Sequence, residues 1–476
     1  MDVTPRHRSA IDPGLVPASL WTRAYLRRCA STPGSTELTI ALRRADGTAS
    51  LFRTQVLAVG VDDASTYQHV ERSVKFLLWS RGGSEVLLSG QTAAHLSAKL
   101  QTDYAPSGRR AFDADFFRKV FEAPLTFRSV AATELPAASA SHLPLGRHLD
   151  GCRIGFDLGG SDRKCAALID GKVVFSEEVK WDPYFQSDPD YHLNGIRHSL
   201  ELAARHLPRV DAIGGSSAGV YVNNKVRIAS LFRGVTDPAV FDSRVRDMFV
   251  DLAKLHGVPF EVLNDGDVTA LAASMSLGRN AVLGVAMGTS VAAGYVDQAG
   301  NLTNWLSELA FVPVDYRVNG PIDEWSGDHG CAVQYFSQQG VGRLLPLAGI
   351  DLPPSLKLPE QLEELQRLML VGDPRARLVY EAIGIALGYA IAHFATFYQM
   401  SCLLIMGRVT SGHGGDIIIE HAKAVLSDEF PELRIDLVVP SEKDKRHGQA
   451  VAAMPGGHPA HDQQAAHLVE AGEMRD

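Results

Sequence analysis

The sequence predicts an α/β protein in which two similar lobes follow an N-terminal α+β domain. Residues 154–175, "IGFDLGGSDRKCAALIDGKVVF", have the pattern of three strands, with a glycine loop after the first and an Asp-Gly turn after the second. Residues 281–300, "AVLGVAMGTSVAAGYVDQAG", repeat the strand, small-residue loop, strand and turn. A stretch rich in Ala, Ser and Pro, residues 129–151, separates the first hairpin from what precedes it.

Composition shifts and turn signals divide the chain into six segments. In the N-terminal domain, residues 36–60 indicate two strands around Asp46-Gly47, residues 67–83 have helical spacing, and residues 84–90 indicate a further strand. The expected segments are a flexible tail at 1–20, the N-terminal α+β domain at 21–130, a linker at 131–150, one lobe at 151–270, the other at 271–455, and a disordered tail at 456–476.

Bulk composition narrows the class of protein. The chain has 476 residues, of which 45% are hydrophobic and 21% charged, as in ordinary globular proteins. A net charge of −9 argues against nucleic-acid binding, which rests on clustered Lys and Arg. The five cysteines contain no C-x-x-C pair, and the N-terminus lacks the apolar core of a signal peptide. A cytoplasmic protein is expected.

One apolar stretch could lie either in a membrane or in the interior of the protein. Residues 382–407 contain no Asp, Glu, Lys or Arg, and Gly384 and Gly388 form a G-x-x-x-G pair. The alternative is a buried helix at 378–398, a turn, and a buried strand that ends at Gly407. His393, Thr396 and other polar residues favour the protein interior. No membrane partner is expected.

The loop Gly159-Gly160-Ser161 follows Asp157 and joins two strands. It matches neither G-x-G-x-x-G before a helix nor G-x-x-x-x-G-K-[ST]. Together with the second loop, Gly288-Thr289, it could offer backbone N–H groups to phosphates. The alternative is a pair of ordinary hairpins with glycine in their turns.

Residues 261–278, "EVLNDGDVTALAASMSLG", indicate a strand that ends in Asn264-Asp265 and a helix that follows. An Asp at such a junction is commonly a helix N-cap. Alternatively, an Asp held near a sugar hydroxyl acts as a general base, which takes the proton as the oxygen attacks phosphorus.

Three other segments carry candidate binding residues. Asn223, in "GGSSAGVYVNN", suits hydroxyl recognition, although Asn-Asn is equally a hairpin turn. Glu308 lies in the apolar run "NWLSELAFVPVDY", where a carboxylate must be paired or face an opening. Gly407 begins a glycine-rich loop between a strand and a helix, which would let a base or ribose lie against the backbone or would only make the loop mobile.

The order of these motifs resembles the ROK family of sugar kinases and repressors, over residues 151–455. That family belongs to the superfamily of actin, hexokinase and chaperone ATPases, so the resemblance implies a two-lobed actin-like ATPase fold of the ribonuclease H-like type. The resemblance also implies the roles of the site residues. These are Asp157 for magnesium, Gly160, Ser161, Gly288 and Thr289 for the phosphates, Asp265 for the base, Asn264 and Glu308 for the sugar, and Gly407 for the adenosine. Further candidates are Gly159 for the phosphates, and Asn223 and Asp265 for the sugar.

Two departures from the family pattern concern a structural zinc. Many members have a His that binds both sugar and zinc, and Phe311 occupies that place here. The zinc motif C-x-C-G-x-x-G-C is represented by "WSGDHGCAVQYFS", which keeps only Cys331. One Cys cannot form a tetrahedral zinc site, so no structural zinc is expected. Asp267 replaces an Asn of the family pattern, which indicates a changed substrate.

The resemblance implies an ATP- and Mg²⁺-dependent kinase that phosphorylates a hydroxyl of a sugar, amino sugar or cyclitol. The alternative is a non-catalytic sugar-sensing regulator, in which the N-terminal domain contacts a partner. Retention of Asp157, Asp265 and both glycine loops favours the enzyme. The N-terminal domain matches no known pattern, and the sequence leaves open whether it covers the site or mediates a homodimer.

Overall fold

The computed structural model describes residues 1, 3–139, 142–143 and 150–439. The chain divides into two compact units. Among the described residues, unit 1 comprises residues 1, 3–139, 281–298 and 304–439, and unit 2 comprises residues 142–143, 150–280 and 299–303. The tail predicted at 456–476 lies outside the described residues.

The N-terminal residues of unit 1 form an α+β arrangement, as the sequence predicts. Its sheet has the strand order β2-β1-β3-β4, in which β1 is antiparallel to β2 and β3, and β4 is parallel to β3. The elements are α1 (Ala18–Ser31), β1 (Thr36–Arg43), β2 (Ala49–Val56), α2 (Asp63–Arg81), β3 (Glu85–Ser89), α3 (Ala93–Asp103), α4 (Ala111–Phe121) and β4 (Thr126–Ser129).

The first twenty residues make specific contacts within unit 1. The Arg6 N–H donates to a Glu429 carboxylate oxygen at 2.7 Å, and the Val16 N–H donates to Asp315 Oδ1 at 3.0 Å. Helix α1 begins at Ala18. The sequence predicts a flexible tail at residues 1–20, whereas these residues form hydrogen bonds to partners that are distant in the sequence and leave no local pattern.

Unit 2 contains a five-stranded sheet of order β12-β9-β6-β7-β8. Strands β6, β9 and β12 are parallel, and β7 and β8 continue the sheet antiparallel. Its elements are β5 (His142–Leu143), β6 (Cys152–Leu158), β7 (Asp162–Ile169), β8 (Lys172–Lys180), α5 (Pro189–Ala204), β9 (Ala212–Ser217), β10 (Val220–Val222), β11 (Lys225–Ile228), α6 (Pro238–Val240), α7 (Met248–His256), β12 (Phe260–Asn264) and α8 (Asp265–Leu277).

The remainder of unit 1 repeats part of this arrangement. Strand β13 is antiparallel to β14 and parallel to β16, and β17 continues parallel to β16. The remaining elements are β13 (Val282–Met287), β14 (Val291–Val296), β15 (Leu302–Thr303), α9 (Val333–Phe336), α10 (Gln338–Leu347), α11 (Leu358–Leu370), α12 (Pro374–Phe394), β16 (Cys402–Met406), α13 (His413–Glu429) and β17 (Asp436–Val438). Strand β15 belongs to unit 2 and pairs with β5.

The apolar stretch at 382–407 is a helix and a strand of the protein interior. Helix α12 ends at Phe394, and β16 begins at Cys402. A side chain on Gly384 would lie 2.7 Å from the Ile418 carbonyl oxygen, and one on Gly388 would lie 2.6 Å from the Val425 Cβ. The G-x-x-x-G pair therefore allows α13 to approach α12. Among the described residues, no helix is long and apolar enough to span a membrane.

Both predicted glycine hairpins are present, as β6–β7 in unit 2 and β13–β14 in unit 1. In each hairpin the first strand also pairs with a parallel strand on its other side. Strand β6 pairs with β9, and β13 pairs with β16. The residues 1–139 fall in the same unit as residues 304–439, whereas the sequence predicts a separate N-terminal domain. The predicted boundaries between the segments stay predictions.

Candidate functional site

Three parallel strands of unit 2 bring polar residues to one edge of the sheet. In the register of the sheet, Asp157 of β6 lies opposite Ser216 of β9, and Ser217 lies opposite Asn264, the last residue of β12. Asp265 begins α8 directly afterwards. Because parallel strands end at the same edge, residues from three separate segments meet there.

Asp157 is a half-buried carboxyl. Burial raises its pKa above the ordinary value of 3.8, and the charge of Asp162 adds to this increase. A hydrogen bond from the Ser216 side chain and the positive charge of Lys164 act in the opposite direction without cancelling it. The ionised form of Asp157 is therefore short of compensating charge in the protein alone.

Asp265 has a raised pKa for related reasons. Burial is the main cause, the negative charge of Asp157 is the second, and the Gly266 N–H, 3.0 Å from Asp265 Oδ1, lowers the pKa in part. Two carboxyls that repel one another in a half-buried position are costly to keep ionised. Such an arrangement is typical of a site that binds a cation or moves a proton.

The N-cap of α8 is Asn264, so Asp265 is not the capping residue. Asn264 Oδ1 accepts a hydrogen bond from the Gly266 N–H at 2.8 Å, and its Nδ2 donates to the Gly219 carbonyl at 2.7 Å. The sequence allowed Asp265 to be only a cap, and the structure assigns that task to its neighbour. The amide of Asn264 is used within the protein at both its ends, which limits what it could offer to a substrate.

Asn223 lies at the tip of the hairpin between β10 and β11. It is exposed, and Asn223 and Asn224 both have positive φ, of 53° and 61°, as a two-residue type I′ turn requires. The Asn224 side chain joins the hairpin to β12, since its Nδ2 donates to the Phe260 carbonyl and its Oδ1 accepts from the Val262 N–H, both at 2.7 Å. These contacts favour the turn over the substrate role that the sequence suggested for Asn223.

The loop after β6 is shaped by its own neighbours. The Gly159 N–H donates to the Asp162 carbonyl at 2.9 Å, and the Gly159 carbonyl accepts from the Trp181 indole at 2.7 Å. A side chain on Gly160 would collide with the Tyr184 ring and hydroxyl. Ser161 is exposed, and its hydroxyl donates to Asp162 Oδ2 at 2.8 Å.

In unit 1, Gly288 and Gly407 follow two adjacent parallel strands. The Gly288 N–H donates to the Ser290 carbonyl at 2.9 Å, so this N–H is engaged inside its own hairpin. Thr289 is exposed. Gly407 has φ 103° and packs so closely on the Met287 backbone that a side chain would collide with it. Gly407 therefore has a structural reason to be glycine.

Glu308 is half-buried and precedes a 3₁₀ turn, Leu309–Phe311. Its backbone N–H donates to the carbonyl of Trp79, at the end of α2. The structure thus places Glu308 in unit 1, beside a helix of the N-terminal region.

Sequence reasoning missed the hydroxyl groups at the end of β9. Ser216 and Ser217 are buried, Ser216 bonds to Asp157, and the Tyr221 hydroxyl donates to Ser217 Oγ at 2.6 Å. Burial raises the pKa of Tyr221, and the charge of Asp265 adds to the increase. The run "GGSSAGVYV" indicated small polar residues at a strand end, but not which of them would lie beside Asp157.

A ROK-family profile matches residues 153–454, which is more than half of the chain. The chain belongs to the ROK family. The resemblance inferred from the motif order is thus confirmed. No curated protein matches the chain at a significant level.

Two solved ROK structures have a TM-score of 0.50 with this ROK chain, both at 18% identity. One is a hexokinase from Thermus thermophilus, which the alignment covers to 96%, with 63% of this chain. The other is a transcriptional regulator described as a homologue of the E. coli MLC protein, covered to 78%, with 64% of this chain. A glucokinase from Streptomyces griseus in complex with glucose and AMPPNP has 18% identity and a TM-score of 0.47, and covers 64% and 98% of the two chains.

The family match and the two structures with a TM-score of 0.50 support the two-lobed actin-like ATPase fold, to which this chain adds an N-terminal α+β region. They leave the activity open, since one of these two structures is a hexokinase and the other is a transcriptional regulator. In this ROK protein, burial raises the pKa of the Cys331 thiol to about 12. Within the described ranges there is no group of three or more His, Cys, Asp or Glu residues suited to a metal ion. The expected lack of structural zinc stays a prediction.

Proposed function

We propose that this ROK-family protein transfers the γ-phosphoryl group of ATP to a hydroxyl of a sugar, amino sugar or cyclitol. The observation that carries the proposal is the pair Asp157 and Asp265, two half-buried carboxyls with raised pKa values, in which the negative charge of Asp157 adds to the increase in the pKa of Asp265. A protein that only bound sugar would have no use for this arrangement, whereas phosphoryl transfer uses one carboxylate for a cation and another for a proton.

Asp265 is proposed as the general base. As the sugar oxygen forms its bond to the γ-phosphorus, the hydroxyl proton passes to the Asp265 carboxylate, and ADP leaves with the electrons of the broken P–O bond. A raised pKa makes the carboxylate a better proton acceptor than an ordinary Asp. The position of Asp265 at the start of a helix capped by Asn264 fixes its backbone.

Asp157 is proposed to hold Mg²⁺. The Asp157 site fits this ion, because a carboxylate is a preferred magnesium ligand and the ionised Asp157 is short of compensating charge. Mg²⁺, when bound, neutralises charge on the phosphate oxygens. Ser216 keeps the Asp157 side chain oriented through its hydrogen bond.

The remaining roles follow from the family pattern and the local geometry. For the phosphates we propose the loops Gly159–Ser161 and Gly288–Thr289, and for the adenosine the backbone at Gly407. Asn264 and Glu308 are proposed to bind sugar hydroxyls, with one lone pair of the Asn264 amide oxygen already used by Gly266. Asn223 receives no role in this proposal because it forms a hairpin turn. We expect a cytoplasmic enzyme.

A coupled assay of ADP release tests the proposal. The purified full chain is incubated with ATP, Mg²⁺ and a panel of hexoses, amino sugars and cyclitols, with Asp265→Asn as the matched control. We expect ADP release with at least one acceptor in the wild type and a large loss in the variant. A silent panel in which a sugar still raises the thermal unfolding midpoint would support the sugar sensor instead.

A further inference from the structure

Helix α2 holds the backbone of the segment that contains Glu308. The N–H groups of residues 306–308 donate in turn to the carbonyls of residues 81, 80 and 79, at 3.3, 2.9 and 3.0 Å. These carbonyls belong to the last turn of α2, where a helix leaves its C=O groups without helical partners. The helix end and the Glu308 segment therefore satisfy each other's backbone groups.

Ser307, directly before Glu308, has a strained backbone. Its φ is +54°, in the left-handed region that a residue other than glycine rarely occupies, and the residue is buried. Such a conformation persists only when the surroundings enforce it. Its N–H bond to the Ser80 carbonyl, at 2.9 Å, is part of that enforcement.

Side chains of α2 hold both flanks of Glu308. The Trp79 ring stacks on Phe311, with centroids 4.2 Å apart and planes at 28°. The Arg81 guanidinium lies 3.8 Å from the centroid of the Trp305 ring. The segment 305–311 is thus bound to α2 before, at and after Glu308.

Trp79 is itself fixed by a chain of buried polar contacts. Its indole N–H donates to Asp113 Oδ1 at 3.0 Å, and the other Asp113 oxygen lies 3.3 Å from Lys75 Nζ. Lys75 in turn pairs with Asp328 at 2.7 Å. Each of these side chains is buried.

Asp328 anchors a second loop to the same helix. It pairs with Arg72 at 2.9 Å and with Arg110 at 2.5 Å, and Glu71 pairs with both arginines at 2.7 Å. Burial opposes ionisation of Asp328, but Arg72 and Lys75 together lower its pKa to about 2. Loss of one member of this buried cluster would leave an uncompensated charge, so we expect substitutions within it to be strongly destabilising.

We infer that α2 of the N-terminal region is part of the sugar-binding apparatus, with Trp79 as the residue that positions Glu308. The inference rests on the proposed function, in which Glu308 binds a sugar hydroxyl. It gives the N-terminal region a task in substrate binding, distinct from contact with a partner protein. The hydrogen bonds and ring contacts of α2 are with the Glu308 segment, so the expected effect is on binding of the sugar.

Three variants of the full chain test this inference. Trp79→Leu removes the ring that stacks on Phe311, and Trp79→Phe keeps a ring but loses the bond to Asp113. Phe127→Leu is the matched control, because Phe127 is a buried aromatic residue of the same region whose ring packs on Tyr104. The measurements are amide hydrogen exchange of residues 302–312, with β9 as reference, and the Michaelis constants for ATP and for the acceptor found active in the ADP-release assay.

For Trp79→Leu we expect about tenfold faster exchange at 306–308 and about a tenfold higher Michaelis constant for the acceptor, with that for ATP within about twofold. In Trp79→Phe, the exchange rate at 306–308 and the Michaelis constant for the acceptor should both stay close to those of the wild type. Phe127→Leu should lower the unfolding midpoint and change neither of these two quantities. Unchanged exchange in Trp79→Leu, or faster exchange with an unchanged acceptor constant, would overturn the inference. If the wild type phosphorylates no acceptor, the proposed function fails, and hydrogen exchange still decides whether α2 holds the segment.

Discussion

The two glycine hairpins share a sequence pattern but differ in why they contain glycine. In β6–β7, a side chain on Gly160 would collide with Tyr184, and one on Gly159 would lie 2.9 Å from the Asp162 carbonyl oxygen. In β13–β14, the nearest atom to a side chain on Gly288 would be the Ser290 carbonyl oxygen, at 3.8 Å, which is an ordinary contact. Packing inside the protein explains why Gly159 and Gly160 are glycines, but it does not explain why residue 288 is one.

The hairpins also differ in charge. Asp157 precedes the loop of β6–β7 and interacts with Asp265, whereas the matching position before Gly288 is Ala286. In the proposed function, the proton and cation chemistry belongs to unit 2, and close approach of a ligand is the proposed reason for glycine at position 288 of unit 1. A repeated motif therefore need not have a repeated function.

The largest expected effect is that of the substitution Asp265→Asn on the turnover number. Asp265→Asn preserves size and the bond from Gly266 but cannot accept a proton at neutral pH. The turnover number should fall about 10²- to 10⁴-fold with little change in the Michaelis constant for ATP. Steady-state kinetics with the active acceptor measure this. Full activity in the variant would exclude Asp265 as the base and direct attention to Asp157.

The second prediction concerns the loop that packing explains. Gly160→Ala should lower the free energy of unfolding by about 1–3 kcal/mol, because its methyl group collides with Tyr184. In a Tyr184→Ala background the same substitution should have a much smaller effect, as measured by a double-mutant cycle in urea. Equal losses in both backgrounds would mean that Tyr184 is not the reason for the glycine.

The third prediction concerns the loop that packing does not explain. Gly288→Val should raise the Michaelis constant for ATP about tenfold, because a branched side chain blocks close approach of phosphates to the backbone. The free energy of unfolding should change by no more than about 0.5 kcal/mol, since the site has room. If the variant bound ATP normally and lost the sugar, the roles of the two hairpins would have to be exchanged.

The smallest expected effect is a pH-dependent change in stability on the substitution Asp265→Asn. The pKa of Asp265 is higher in the folded protein than its ordinary value, so the folded state binds the proton more tightly. The stability from that proton is present at low pH and is lost as pH rises through the folded pKa. Without Mg²⁺, Asp265→Asn should therefore be more stable than wild type at about pH 8, and this difference in stability should be smaller at about pH 5. A variant less stable than wild type at pH 8 would contradict the raised pKa.

Much of the local structure could be predicted from the sequence. The hairpin at Asp46-Gly47, the two glycine hairpins, the strand that ends in Asn264 and the buried helix before Cys402 are all confirmed. These elements depend on hydrophobic periodicity and turn residues, which act over a few positions of the chain. The order of the motifs likewise sufficed to predict the ROK family, although no single motif would have done so.

The tertiary structure decided which residues meet. It assigned the helix cap to Asn264 rather than Asp265, placed the unpredicted Ser216 beside Asp157, and put Tyr184 against Gly160. It also joined α2 to the Glu308 segment, which no pattern in residues 1–150 indicated. These contacts connect residues far apart in the sequence, and burial, repulsion between charges and collisions between side chains arise only once the chain has folded.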